Sequence, residues 1–126
     1  SNNIYKIYNE EKKFIYEVPV FSYNLLGNQF IFSGGGHLRF TPLKLINKFT
    51  NTLNKNNKIV NFYIHPRELI YNHKKLKMNF KRYFKSYYNI KSVEKKIDNI
   101  LKNYDCDSFI NMFINNNFTK TQNLYL

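Results

Sequence analysis

Cys106 is the only cysteine in the chain. A lone thiol excludes an internal disulfide framework and any multi-cysteine zinc cluster. Tryptophan and alanine are missing altogether, and only 8 acidic residues stand against 20 basic ones. No apolar run approaches the ~20 residues that a membrane-spanning helix needs. No charged-then-apolar leader precedes a small-residue cleavage site, so no signal peptide is expected in this chain. Arginine is scarce too: 17 of the 20 basic residues are lysine and 3 are arginine.

What is there fits one small domain or part of one, residues 1–126, with 43% hydrophobic residues for a core. The formal net charge is +12 and asparagine occurs 21 times. Asn, Lys, Ile, Tyr and Phe are the residues of A/T-rich codons, so much of this charge reads as composition bias. Solvated lysines also aid solubility. Base readout in nucleic acid favours arginine, and no nucleic-acid motif accompanies the lysines, so nucleic acid is not the expected partner. A polyanionic or lipid-linked substrate stays compatible with the field.

Along the chain, residues 1–12 are polar with scattered tyrosines and receive no regular structure; 1–13 is expected to be loosely ordered. Residues 14–20 (FIYEVPV) read as a short strand, with Pro19 at its end or on an edge. Gly27-Asn28 interrupts the next apolar stretch as a turn signal. Gly34, Gly35 and Gly36 then permit positive φ and close approach of another backbone or a ligand. Thr41 as N-cap and Pro42 at the first helical position start a helix. Its inner face is Leu43, Ile46, Phe49, Thr50 and Leu53.

Residues 58–64 (KIVNFYI) are nearly continuously apolar or aromatic, the pattern of a strand buried on both faces. The stretch 69–91 is basic and aromatic with no clear period. Ser92 as N-cap and Glu94 in the first turn introduce a helix over 93–103. Its stripe is Val93, Ile97, Ile100, Leu101 and Tyr104. Residues 109–114 (FINMFI) form a short element, helix favoured over strand, and 115–126 is expected to be loose.

His65 follows residues 59–64 directly, at the carboxyl end of the expected strand. Ligands and catalytic groups gather at that end of strands in α/β sheets and barrels. Pro66 restrains the backbone of His65 to an extended conformation. Glu68 stands where it could orient a ring nitrogen or stabilise imidazolium. Histidine titrates near neutrality, with an unperturbed pKa of ~6.5. A second reading of equal standing is a histidine packed at a strand end and satisfied by backbone.

The run Gly34 to Arg39 fits neither a dinucleotide fingerprint nor a P-loop. It reads as a flexible turn, or as a bend that lets substrate approach while Arg39 reaches an anionic group. Weaker constellations have bland readings beside them. His37, His65, His73 and Glu68 match no zinc spacing. Asp105 and Asp107 suit a helix end and turn. The Lys/aromatic interleaving of 74–88 suits base stacking or the edge of an aromatic core. Cys106 has no basic neighbour to activate it.

Taken in order, these pieces carry a resemblance. Glu17-Val18-Pro19 comes first, then Gly34-Gly35-Gly36-His37-Leu38-Arg39-Phe40-Thr41-Pro42. Phe62-Tyr63-Ile64-His65-Pro66-Arg67-Glu68 follows, then Arg82-Tyr83-Phe84 and the helix at 93–103. This resembles the C-terminal part of the NodB-homology polysaccharide deacetylases of carbohydrate esterase family 4, in particular their exopolysaccharide-locus branch.

The resemblance implies an α/β fold: the C-terminal portion of a distorted (β/α) barrel, with the metal-binding half absent from this chain. It implies a complete enzyme that removes N-acetyl groups from amino sugars with a divalent metal, usually zinc. No metal ligand is assigned within this chain. His65 matches the late histidine that protonates the departing amine. Gly34, Gly35, Gly36 and Arg39 would line the sugar cleft and Glu68 would support His65. Arg67 stands where the family has tryptophan, and His37 where it has an aromatic residue. The implied partners are an N-acetylated polysaccharide or lipid-linked amino sugar, and a missing N-terminal half or second copy to cover open sheet edges. A non-catalytic carbohydrate-binding module on the same scaffold is the alternative.

Overall fold

The computed structural model describes residues 4–70, 72, 74–114 and, as backbone, 121–125. It is a mixed α/β chain with two small sheets and six helices among the described residues. His73 and residues 115–120 lie outside the described residues.

Strand β1 (Ile4–Tyr8) runs antiparallel to β2 (Phe14–Glu17), with Tyr5 opposite Glu17 and Tyr8 opposite Phe14. Lys12 takes positive φ in the turn between them, and the Asn9 side chain accepts the Lys13 N–H at 2.9 Å. This corrects the expectation of no regular structure before residue 13. A second correction concerns the far end of the chain. Residues 121–125 are strand β5 (Thr121–Tyr125), paired parallel to β1 with Ile4 opposite Thr121, so the sheet order is β2-β1-β5. The two chain ends stabilise each other across this ladder, a pairing that no local pattern encodes.

β3 (Ser22–Leu25) and β4 (Asn28–Ile31) form an antiparallel hairpin. Its two-residue turn is Leu26-Gly27, one residue earlier than the sequence signal, and both residues have positive φ, 52° and 83°. That is the backbone hand which matches strand twist.

Helix α1 (Gly35–Phe40) follows at once, then α2 (Leu43–Lys55) after only Thr41 and Pro42. Thr41 closes α1 instead of capping α2: its hydroxyl and its N–H both donate to the His37 carbonyl, at 2.8 and 2.9 Å. Ile46, Phe49, Thr50 and Leu53 are buried, as the helical spacing requires. Beyond the short α3 (Pro66–Leu69) come α4 (Phe80–Tyr87), α5 (Ser92–Asn103) and α6 (Phe109–Ile114). Ser92 is the first residue of α5, and its hydroxyl donates to the Asn89 carbonyl at 2.7 Å. Leu101, expected in the apolar stripe of α5, is 60% exposed, and Lys96 is buried on that stripe instead.

The core joins α1, α2 and α5 through Phe32, Leu38, Ile46, Phe49, Leu53, Val93 and Ile100. Tyr23 stacks on Phe49 with ring centres 4.3 Å apart, and Phe32 meets Phe49 edge-on at 5.4 Å. Each such side chain contributes about 1.5–3 kcal/mol by leaving water.

Residues 58–64 depart from the expected doubly buried strand. Val60, Phe62 and Ile64 alternate onto the core, while Tyr63 is 38% exposed on the other side. The regular pairing reduces to one parallel bridge between Gly34 and Tyr63. The segment is therefore extended with one face packed, which is what a period of two predicts when only one side has a neighbour.

Candidate functional site

That single bridge places the site. The Tyr63 N–H donates to the Ser33 carbonyl at 3.2 Å, and the Gly35 N–H donates to the Tyr63 carbonyl at 3.1 Å. The glycine bend and the end of the 58–64 segment are thereby locked side by side. A Cβ at Gly34 would fall on the Tyr63 ring, so only glycine fits with the ring where it stands. Gly35 has φ of +51°, which favours glycine independently of space. A Cβ at Gly36 would lie 3.2 Å from the Arg39 guanidinium. The run is therefore the start of a helix and not a loose turn.

Just past the bridge, an open hollow of about 340 Å³ is lined by Gly36, Arg39, His65, Arg67 and Glu68. Of the six candidate residues, Gly36, Arg39, His65 and Glu68 line it; Gly34 and Gly35 do not, and pair with Tyr63 instead. His65 is exposed, and its ring meets Tyr63 edge-on, with centres 5.9 Å apart. The imidazole is thus neither sealed in apolar packing nor remote from the bend.

Arg39 and Glu68 form the floor. They are 5% and 2% exposed. Arg39 Nε lies 3.3 Å from Glu68 Oε1, a charge contact without hydrogen-bond alignment, since Nε has no hydrogen-bond partner. The terminal nitrogens of Arg39 donate to the Ser86 and Lys85 carbonyls at 2.7 and 2.8 Å. Burial pulls the guanidinium pKa down and Glu68 pulls it back up; arginine stays charged regardless. The other Glu68 oxygen accepts the backbone N–H of His65 at 3.0 Å. Glu68 thus holds the backbone of His65 and not its ring, and Arg39 is committed to protein partners.

Lys96 was not singled out by sequence reasoning. Its ammonium donates to the carbonyls of Leu38, Arg39 and Thr41 at 2.8, 3.0 and 2.9 Å. It satisfies the carbonyls left open where α1 ends, where a cation is also favoured by the helix dipole. Asn89, at positive φ, adds a bond from its side-chain amide to the Arg39 carbonyl at 2.9 Å. The available signal was the register: position 96 shares a helical face with Val93 and Ile100. A charge on an apolar stripe implies buried partners.

The weaker candidates separate. His37 is exposed and does not line the hollow. Asp107 accepts the Ser108 N–H and the Asn111 side-chain amide at the start of α6. Burial, then Asp105, pushes the Cys106 thiol pKa up, which disfavours thiolate. The aromatics of 74–88 are not a core edge: α4 has no buried residue, and Phe80 is 81% exposed. Their rings stack on each other and on Phe40, with Phe40 and Tyr88 centres 5.1 Å apart. Among the described residues no three His, Cys, Asp or Glu side chains are grouped to hold a metal ion. The described residues therefore supply no ligand set for a divalent metal. Among the described residues, no helix is long and apolar enough to cross a membrane.

These features define a small mixed α/β domain whose glycine-started helix and strand-end histidine frame one polar hollow. The chain belongs to the DUF3473 family, a domain of unknown function, whose model matches residues 1–113. Comparison with curated proteins and with solved structures finds no match.

Proposed function

We propose that this domain is the C-terminal segment of a metal-dependent polysaccharide deacetylase acting on the N-acetyl groups of a surface polysaccharide or exopolysaccharide. DUF3473 is associated with the C-terminal region of polysaccharide deacetylases, which supports this reading. The observation that carries it is the exposed imidazole of His65 at a hollow shared with the glycine bend.

In this reading an N-acetylated sugar lies in the hollow against Gly36. Water adds to the acetyl carbonyl carbon, the C–N bond breaks, and acetate leaves. The departing nitrogen needs a proton, and protonated His65 delivers it. Glu68 fixes the His65 backbone, and Arg39 holds Glu68 in place. Both act by positioning. Groups of the complete enzyme other than these would activate the attacking water.

The test is His65→Ala in the complete enzyme. Turnover should fall at least ~100-fold with metal content unchanged. Turnover near wild type would refute the assignment. The second reading is a carbohydrate-binding module on the same scaffold, favoured by the lack of a metal-ligand grouping among the described residues. Saccharide binding without acetate release, even after metal addition, would select it.

A further inference from the structure

The hollow carries more positive charge than proton transfer requires. Arg39 and Glu68 neutralise each other in its floor. Arg67 remains, exposed at the rim beside His65. Among the described residues only one of its nitrogens has a hydrogen-bond partner, donating to the Ser86 carbonyl at 2.8 Å. Arg67 forms no ion pair among the described residues, and the nearby Glu68 carboxylate is buried against Arg39. The anchoring bond holds the guanidinium over the hollow, so less side-chain freedom is lost when a ligand binds. A planar fork with donors to spare matches an oxyanion. The surrounding field, +12 over the chain, favours the same sign of ligand.

We infer that Arg67 selects an anionic glycan: an N-acetylated amino sugar with a carboxylate or phosphate group on the same or adjoining residue. The oxyanion sits on the Arg67 guanidinium while the acetamide faces His65. This rests on the saccharide reading of the hollow and adds a specificity residue to it. Arg67 makes no claim on the chemistry of the acetyl group.

The full chain is titrated by calorimetry at low salt, where screening of an exposed charge is weakest. The probes are neutral tetra-N-acetylchitotetraose, a hyaluronan hexasaccharide, N-acetylglucosamine 1-phosphate, and an oligogalacturonate that has carboxylates but no acetamide. At least one of the two anionic acetamido ligands should bind ~10-fold or more tighter than the neutral tetramer. Which of them gains identifies carboxylate or phosphate. Arg67→Gln should bring that preference within about twofold, and Arg67→Lys should restore part of it, because lysine keeps the charge but not the fork.

Equal wild-type affinity for neutral and anionic acetamido ligands overturns the inference and leaves the saccharide reading standing. So does a preference that survives Arg67→Gln, or oligogalacturonate binding as tightly as the acetamido anions. No binding of any probe removes both the inference and the saccharide site beneath it.

Discussion

Arg39 and Arg67 both donate to the Ser86 carbonyl, at 2.7 and 2.8 Å, and both line the same hollow. They otherwise differ in almost every respect. Arg39 is buried with Glu68, and its other terminal nitrogen is spent on Lys85. Arg67 is exposed and has one hydrogen-bond partner among the described residues. One carbonyl thus joins a floor of committed polar groups to a rim of available ones. Substitutions in the floor should act on folding, and those at the rim on ligands. Lys96 and Asn89, outside the lining, belong to the same committed set and hold the end of α1 from the α5 side.

The largest expected effect is in the floor. Arg39→Leu leaves the Glu68 carboxylate buried without its cation and strips the Lys85 carbonyl of its donor, while the Ser86 carbonyl keeps Arg67. Breaking one side of a buried pair costs about 3–5 kcal/mol, a large part of the 5–15 kcal/mol that holds a typical domain. The urea midpoint should fall accordingly. Adding Glu68→Gln to Arg39→Leu should recover part of the loss, because the stranded charge is the main penalty. A single variant within about 1 kcal/mol of wild type would dissolve the contrast between floor and rim.

Lys96→Met comes next. The Leu38 and Thr41 carbonyls at the end of α1 lose their donor and the Arg39 carbonyl keeps only Asn89, for about 2–3 kcal/mol. Lys96 also gives the committed set a pH dependence. Burial holds its pKa below the ordinary 10.5. As pH rises, the folded chain releases this proton before the unfolded chain does. Between the folded value and 10.5 the unfolded state binds more protons, so this group's contribution grows with pH. The stability gap between wild type and Lys96→Met should therefore widen from about pH 8 to pH 10 in parallel denaturation series. A gap that narrows would mean that the carbonyl bonds to the charged ammonium outweigh its desolvation.

Gly34→Ala tests the seam between floor and rim. Gly34 has φ of −171°, extended backbone open to any residue, so the whole effect is the collision of Cβ with the Tyr63 ring. Tyr63 is 38% exposed and can swing outward. The cost should be about 1–2 kcal/mol, with Tyr63→Ala relieving it in the double variant. An additive double variant would show that the ring is not the obstacle.

Much of the rim was legible in the sequence and much of the committed set was not. His65 and Glu68 stand in one short run, and Pro66 marks where the extended segment must turn. The helical stripe of α2 announced its own buried face, since period 3.6 is a property of nearby residues. The Gly34–Tyr63 bridge was a different matter. Only the resemblance brought the two runs together, because parallel pairing leaves no mark in either segment. Lys96 and Asn89 bond to backbone carbonyls, which every residue has, so the acceptor side of those contacts is invisible in a sequence. The β1–β5 ladder was missed for the same reason: Tyr5, Lys6 and Gln122 are polar or amphipathic, and their pairing joins the two ends of the chain. Arg67 was visible as a departure from the family pattern, but its single anchor on Ser86 needed coordinates.

The smallest stability effects should be at the rim. His65→Ala and Arg67→Gln remove exposed side chains, and substitutions of that kind usually fall within about 0.5 kcal/mol. For His65 the bond that matters to the fold is made by its backbone N–H to Glu68, and alanine keeps that N–H. For Arg67 one solvent-facing hydrogen bond is lost, and the Ser86 carbonyl keeps Arg39. Thermal melts of both variants should overlay wild type while turnover of the complete enzyme and anionic-glycan preference drop. If either variant instead unfolds as early as Lys96→Met, that residue belongs to the committed set, and any loss of activity it shows is a loss of structure.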